Sequence, residues 1–474
     1  MRIDKTVFIS GGGPCGLAAA LMLHQRGFSR IILAEKSASA KAFDKNKGFN
    51  YLIDARGQKL LDALGLSDRL SHYGVENDRN IMTMVLSDGS HKIFKSPFWD
   101  PARDSAFWSR RENLQIMLYE AIEQRNDDRI SLFYDHSFED VTVDERGSVD
   151  ILLKPNGDGP KQCIKADLIL GCDGLRSSTR AAMIQHSGLP EAQFERRRYP
   201  SPASELYYKV LSMPAHVPLK GDMPAAGDHD MAYAFVSKPG KSDEATALVA
   251  YPVAQPDEPR TVNVIRLGNH KLWQLETAED VLDFLEQAFP QLPLRDVITA
   301  QEAEDFVAVK PSRFPAPQYT AQCYAKIGNI PALLLGDAAH AFPPDLGLGV
   351  NSALEDVFHL AQHLDKTNND LDAAAATFDV EQKPERAALV KLVQTVAPYQ
   401  YNQTPWKLKL WALRFFAVKG LNRLLPWWVE PPAVLLAQQD HLRFSTIRRK
   451  QVANRWKVSA LFAAIGAGLI AIAQ

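Results

Sequence analysis

Cysteine, net charge and long apolar runs are all scarce in this 474-residue sequence, and each scarcity removes a class of protein. Four cysteines, Cys15, Cys163, Cys172 and Cys323, are too few and too scattered for a disulfide framework or a zinc site, and they suit a reducing compartment. No metal site is expected. A formal net charge of -2 leaves no electrostatic footprint for nucleic acid. There is no internal repeat and no low-complexity segment, and a strand pattern opens the chain, leaving no room for a cleaved signal. The long uncharged stretch is "VSALFAAIGAGLIAIA", residues 458–473, preceded by Arg448, Arg449, Lys450, Arg455 and Lys457. A helix needs about 20 apolar residues to span a bilayer, with roughly 17 as the lower limit, so this run is short. Two readings stay open: a C-terminal anchor with the body on the cytoplasmic face of a membrane, or a buried helix closing a soluble cytoplasmic protein. The segment "PWKLKLWALRFFAVKGLNRLLPWW", residues 405–428, has the interleaved tryptophans, leucines and cations of a bilayer interface.

Hydrophobic residues make up 46% of the chain and charged residues 23%, an ordinary globular balance, and the length exceeds one typical domain. The first forty residues alternate strand, glycine turn, helix and strand: "TVFIS", "GGGPCG", "LAAALMLHQRG", "RIILAEK". Gly11, Gly13 and Gly16 have the spacing of a dinucleotide fingerprint. Gly11 permits the tight turn, Gly13 lets a pyrophosphate approach the backbone, and Gly16 lets helix and strand pack closely. The helix N-terminus offers free N–H groups to phosphate. Glu35 closes the second strand where ribose hydroxyls would lie, which favours FAD or NAD over NADP at this site. "GAGLIA", from Gly466, fits a looser pattern but follows no strand, and it reads as chance.

Further on, "RENLQIMLYEAIEQ" sets Leu114, Leu118 and Ile122 on one helical face. Between about 205 and 267, "ELYYKVLSM", "MAYAFVSK", "TALVAYPV" and "TVNVIRL" predict an antiparallel sheet. "TAEDVLDFLEQAF" predicts a helix capped by Thr277, with Asp280 at the capping-box position. "GCDGLRSSTR" (171–180) and "GDAAHAFPPDLGLGVNSALED" (336–356) are strands broken by glycine turns, where proline and glycine keep the backbone open.

Taken in order, the glycine fingerprint and these last two motifs resemble the class A flavoprotein monooxygenases, the FAD-dependent aromatic hydroxylases, over residues 6 to about 390. "SRRENLQIML" looks like that family's Arg-x-x-Leu helix, with Arg111 in the arginine's place. The resemblance implies an α/β fold: a Rossmann-type FAD-binding domain, an inserted antiparallel-sheet substrate domain and a C-terminal helical segment. The expected boundaries are 1–72, 100–180 and 300–390 for the FAD domain, 73–99 and 181–299 for the substrate domain, and 391–474 for the helical region. By the same resemblance, Gly11, Gly13, Gly16, Glu35 and Arg111 hold the ADP half of FAD. Asp173 belongs to a motif that serves FAD and NAD(P)H, and Asp337 meets the ribityl chain or its neighbouring ribose. Pro344, Gly347, Leu348, Gly349, Val350 and Asn351 line the flavin ring. His340 is expected to make structural hydrogen bonds, and Cys15 and Cys172 to be packing residues. The implied reaction takes electrons from NADPH or NADH, bound transiently because no second fingerprint is present. O2 then forms a flavin hydroperoxide, whose terminal oxygen passes to an activated aromatic ring.

Within the family, "FDKNKGFNYLIDARGQKLLDALGL" (43–66), "SRRENL" and the C-terminal hydrophobic tail make the chain resemble the kynurenine 3-monooxygenase branch, with departures. The family's Gly-Gln-Gly is Gly347-Leu348-Gly349, and the position of a substrate-gripping asparagine falls on Val396. The carboxylate-binding arginine aligns near Ile81, two residues from Arg79. Losing polar partners for an amino-acid substrate costs several kcal/mol, on the order given for unpaired buried ions. The expectation is therefore an apolar or phenolic aromatic substrate. The alternatives are kynurenine itself, a membrane-associated flavin reductase, or a non-catalytic FAD-binding protein. No catalytic base is named by the sequence.

Overall fold

The computed structural model describes residues 2–43, 48–77, 81–95, 99, 105–219, 228–240, 244–401 and 403–473, with residues 346 and 462–473 described by backbone alone. The first strand, Ile3–Ser10, is central. It pairs in parallel with Phe28–Ala34 on one side and Leu168–Gly171 on the other. The sheet extends to Ile130–Phe133 at one end and to Ile330–Leu334 and Tyr324–Ile327 at the other, six strands in all. Only the final hairpin pair is antiparallel. Helices cover parallel strands on both faces, so such strands read as unbroken apolar runs. Val7, Phe8, Ile9, Ile31, Ile32, Leu33, Leu333 and Leu334 are accordingly fully buried. In an open parallel sheet, ligands bind outside the carboxyl ends of the strands. Four of those ends here carry Gly11, Glu35, Cys172-Asp173 and Gly336-Asp337.

A second sheet of seven strands runs Ser312–Arg313, Leu206–Met213, Arg260–Leu267, Ala247–Ala250, Ala232–Val236, Ile81–Val85, His91–Lys95. All four expected strands are present, but the sheet is not wholly antiparallel: Ala232–Val236 pairs in parallel with Ile81–Val85. A parallel pair needs a long crossover, and nothing in the local pattern records a partner so far away in sequence. One face packs Leu211, Met213, Val262 and Val264 against the helices Ala278–Ala288 and Ala300–Ala308. Side chains alternate along a strand, so the opposite face presents Tyr208, Val210, Val249, Asn263 and Ile265, which register places side by side. Thr277 caps the first of these helices as expected, accepting from Asp280 N at 3.1 Å, and its hydroxyl bonds the Asp280 carboxylate at 2.6 Å.

The C-terminal region is helical, as expected, but the helix Leu371–Val396 runs unbroken through the expected boundary at 390, with Pro384 inside it. The helices Pro405–Leu424 and Phe444–Ala473 follow. Leu389, Val393 and Val396 share an apolar cluster with Phe342, Leu348, Phe415 and Ile447. Among the described residues no helix is long and apolar enough to cross a membrane, and most of the stretch 458–473 is described by backbone alone.

Arg260 is fully buried in the second sheet and donates to the carbonyls of Ala215, Asp228, Met231 and Tyr251. Replacing it with methionine orphans these acceptors, each of which costs roughly 1–3 kcal/mol when buried unbonded. Urea denaturation of Arg260→Met is expected to show a loss of about 4 kcal/mol, the low end for four acceptors because they partly relax.

Candidate active site

The glycine turn follows from close contacts. Gly11 has φ +101°, and a Cβ there would lie 2.5 Å from the Cys172 carbonyl oxygen. A Cβ on Gly16 would lie 2.0 Å from the Gly11 carbonyl oxygen. Gly13 is the opposite case: its Cβ would meet nothing within 4 Å, so the backbone there opens onto free space. Gly13 is also the extended N-cap of the helix Pro14–Gln25, which has no side-chain cap, and Pro14 supplies a first residue without an N–H. The turn thus presents bare backbone at a helix N-terminus, a surface suited to phosphate.

Glu35 stands over this turn. Its Oε2 accepts from Gly12 N at 2.7 Å, and its Oε1 accepts from Ser37 N at 2.9 Å and Ser37 Oγ at 2.8 Å. Arg111 opens the helix Arg111–Glu123, with its backbone N bonded to Phe49 O. The Tyr51 phenol does most to hold the Arg111 guanidinium above its ordinary range, against burial, and Asp337, Tyr208 and Glu35 add to it. Arg111 therefore lies within the electrostatic reach of both the ribose-side acid and the acid of the third motif. Asp337 is accessible to water, yet burial raises its carboxyl, with His340 and Arg111 pulling it back. An acid that is both accessible and surrounded by protein faces an interior cleft.

The other motif residues divide between lining and bracing. Asp173 Oδ2 accepts from Thr179 N, Thr179 Oγ1 and Ser10 Oγ, while its buried Oδ1 has no hydrogen-bond partner among the described residues. Arg180, the last residue of "GCDGLRSSTR", ties two motifs together by donating to Leu175 O and Ala338 O. His340 pairs with a carboxylate after all: its Nε2 is 2.9 Å from Asp356 Oδ2, which also accepts from Gly336 N. Both are buried, so the pair fixes the Gly336 turn, and the role is structural as expected. Cys15 and Cys172 are buried neighbours, as packing residues would be, and the Cys15 thiol is raised well above its usual range, chiefly by Cys172 and then by burial, which disfavours its thiolate.

In the proline-glycine segment, Gly347 takes φ +68°, and a Cβ on Gly349 would meet nothing within 4 Å. Val350 is buried. The Asn351 side chain is committed to the backbone: Nδ2 donates to Leu52 O and Gly347 O, and Oδ1 accepts from Asp54 N. It pins the segment to the strand Asn50–Ile53, so any contact it makes with a ligand is through backbone. Leu348 is 2% exposed and turns into the C-terminal apolar cluster. Val396, expected at the substrate, lies in the same cluster, and Arg79 lies outside the described residues.

Beyond the segment is a cluster of aromatic rings that the sequence did not disclose. Phe49 meets Tyr208 at 4.5 Å between ring centroids, Tyr208 meets Phe314 at 5.1 Å, and Phe314 meets Tyr401 at 5.7 Å. Trp108 meets Tyr251 at 4.9 Å. Burial pushes the Tyr251 phenol up to about 12 and raises Tyr401 well above its usual range, although both keep accessible surface. Asp345 stands at this end, 1% exposed, with Gln400 Nε2 donating to its Oδ1 at 2.9 Å. Burial pushes its carboxyl up to about 8, with Gln400 and Tyr401 pulling it down.

The sequence profile of the FAD binding domain family matches residues 4–196 and 220–391, and the chain belongs to that family. This makes it an FAD-dependent monooxygenase, with NAD(P)H as reductant and O2 as co-substrate. Kynurenine 3-monooxygenase of Sus scrofa is 25% identical over 463 residues, covering 96% of this chain and 87% of the relative. Two solved structures share the fold. Tetrameric 2-methyl-3-hydroxypyridine-5-carboxylic acid oxygenase has a TM-score of 0.59 at 17% identity, covering 84% of this chain and 92% of that one. PqsL of Pseudomonas aeruginosa, described as a probable FAD-dependent monooxygenase, has 0.53 at 21%, covering 86% and 99%. The residues fit FAD: the open backbone at Gly13, the orphaned Asp173 Oδ1 and the accessible Asp337 follow the carboxyl ends of neighbouring parallel strands, and Gly349 adds open backbone.

Gly16→Val forces the helix off the strand end. The purified variant is expected to carry almost no flavin by its visible absorbance, while wild type carries close to one per chain.

Proposed function

We propose that the chain hydroxylates an apolar or phenolic aromatic small molecule, and that the aromatic cluster beside the Pro344–Gly349 segment forms the chamber that receives the substrate ring. The observation that carries this reading is the cluster of rings itself, Phe49, Tyr208, Phe314, Tyr401, Trp108 and Tyr251. FAD, when bound, supplies the redox chemistry and the activation of O2. The backbone at Gly11, Gly13 and Gly16 cradles the pyrophosphate at the helix N-terminus. Glu35 releases Gly12 N–H to phosphate and accepts from ribose hydroxyls, Arg111 reaches the phosphates, and Asp173 and Asp337 bond the sugar side. The backbone of Pro344, Gly347, Gly349, Val350 and Asn351 borders the ring, where N–H groups stabilise negative charge. The rings of the chamber exclude water. NAD(P)H docks transiently on the FAD-domain surface.

A substrate carrying an amino-acid group is disfavoured by the chamber's chemistry. Val396 sits in an apolar cluster, and no cation among the described residues adjoins Asp345. Kynurenine hydroxylation remains the second reading, supported by relatives of that name along nearly the whole chain. Oxygen uptake and NADPH oxidation, measured with phenols and with L-kynurenine, separate the two. Phenols are expected to accelerate NADPH oxidation and yield hydroxylated product. L-kynurenine turnover matching NADPH consumption, with no response to phenols, would overturn the substrate assignment.

The division into FAD domain, substrate domain and helical region belongs to the same proposal, with the last boundary moved past Val396. Membrane association is proposed as docking at a bilayer surface. The helix Pro405–Leu424 exposes Trp406, Leu410, Leu413 and Phe416, and Trp427 and Trp456 are exposed nearby. Lys407, Lys409, Arg414, Lys419 and Arg423 are interleaved with them and suit anionic headgroups. Wild type is expected to sediment with anionic vesicles, and replacing Trp406, Leu410, Leu413 and Phe416 with serine to leave it in the supernatant. Equal sedimentation of both would sink the docking idea.

A further inference from the structure

The structure assigns a catalytic base: we infer that Asp345 takes the hydroxyl proton of a phenolic substrate whose ring lies in the aromatic chamber and whose oxygen sits beside Tyr401. The inference rests on the phenolic reading above. Asp345 closes the Pro343-Pro344 turn at the entrance to the helix Leu348–Lys366, where the backbone borders the proposed ring site. Its carboxyl is buried and half-bonded: Oδ1 is held by Gln400 Nε2, while Oδ2 has no hydrogen-bond partner among the described residues. An acceptor left open in a dry site is costly unless a ligand completes it.

The neighbours of Asp345 form a continuous polar line. Tyr401 feels both Asp345 and Tyr251, and Tyr251 stands beside the amide of Asn263. Asn263 is 1% exposed, and neither its Oδ1 nor its Nδ2 has a partner at hydrogen-bond distance among the described residues. Two elements distant in sequence thus bring buried polar groups to one aromatic cluster, the carboxylate from the cofactor segment beside Tyr401 and the amide from the second sheet beside Tyr251. A ring with a hydroxyl fits this arrangement. A ring with a carboxylate in that place would confront Asp345 with a like charge.

The step is simple in its balance. The phenol O–H bond breaks, its electron pair stays on the phenol oxygen, and the proton moves to Asp345 Oδ2. The phenolate so formed is the electron-rich ring that an electrophilic oxygen attacks, and no further reactant is needed for the transfer. The titratable groups facing Asp345 are Tyr401 and, behind it, Tyr251, and burial keeps both phenols neutral. A base near the working pH is the most effective kind, and the Asp345 carboxyl stands at about 8. Asp345 accepts a proton only when ionised, so hydroxylation rises with pH through about 8.

The test uses the flavin-loaded protein and meta-nitrophenol, whose ionised form has its own visible band. Bound to wild type at about pH 8, where Asp345 is partly ionised and the free probe still mostly neutral, the probe is expected to show the phenolate band. Asp345→Asn, with flavin content and melting temperature as folding checks, is expected to lose that band and the rise of hydroxylation with pH. Gln400→Leu keeps the carboxyl and removes a donor that holds its pKa down, so it is expected to move the pH midpoint upward. Meta-nitrophenol that fails to bind wild type, or bands alike in wild type and Asp345→Asn, overturns the inference, as does an unshifted midpoint in Gln400→Leu. If hydroxylation of phenols persists through those failures, only Asp345 is refuted. If no phenol stimulates NADPH oxidation, the phenolic reading falls with it.

Discussion

The contact between Gly16 and the carbonyl of Gly11 is the constraint from which the rest of the site follows. A helix can begin directly at the end of a strand only where no side chain intervenes, and a Cβ at Gly16 would lie 2.0 Å from that carbonyl oxygen. The approach leaves the helix N-terminus uncapped and turned toward open space at Gly13. Neighbouring parallel strands end at the same level, so the acids just past their ends, Glu35, Asp173 and Asp337, border that space. The acids are not free to drift. Glu35 is tied to Gly12 and Ser37, Asp173 to Thr179 and Ser10, and the Gly336 turn before Asp337 to Asp356. Strand order brings the chemistry together, and hydrogen bonds hold it there.

The cofactor side was legible in the sequence because its causes are local. A turn that needs glycine shows glycine, and an acid at the end of a strand is found by counting from the strand. The helix cap at Thr277 was legible for the same reason. The substrate side was not. Asp345 reads as one acid in a loop until Gln400 and Tyr401 are brought beside it by the turn after a long helix, and Asn263 reads as one polar residue in an apolar strand. Tyr51 and Arg180 lay inside quoted motifs, but only packing shows that one faces Arg111 and the other joins two motifs. The parallel strand pair and the helix that runs past residue 390 escaped for a related reason, since periodicity reports an element and not its partner.

Leu348 shows how a departure from family pattern changes meaning in three dimensions. By the family resemblance it stands where an amide is expected beside the flavin. By packing it is an apolar link from the cofactor segment to the C-terminal helices, and Val396, the other expected departure, sits in the same cluster. The segment is thus braced from behind by the helix Leu371–Val396. Arg56 adds to this bracing, donating to Glu355, Gln439 O and Leu442 O with its guanidinium over the Phe444 ring. The C-terminal region is therefore part of the scaffold of the cofactor site as well as a surface with exposed tryptophans.

The central claim is that this scaffold delivers one atom of O2 to an aromatic ring. Turnover of a simple phenol by the flavin-loaded protein under O2 enriched in heavy oxygen, with mass spectrometry of the product, tests it most directly. The account predicts a catechol that carries one heavy oxygen atom per NADPH consumed. A product without the label, or NADPH consumption that yields only hydrogen peroxide with every phenol and with kynurenine, would contradict it.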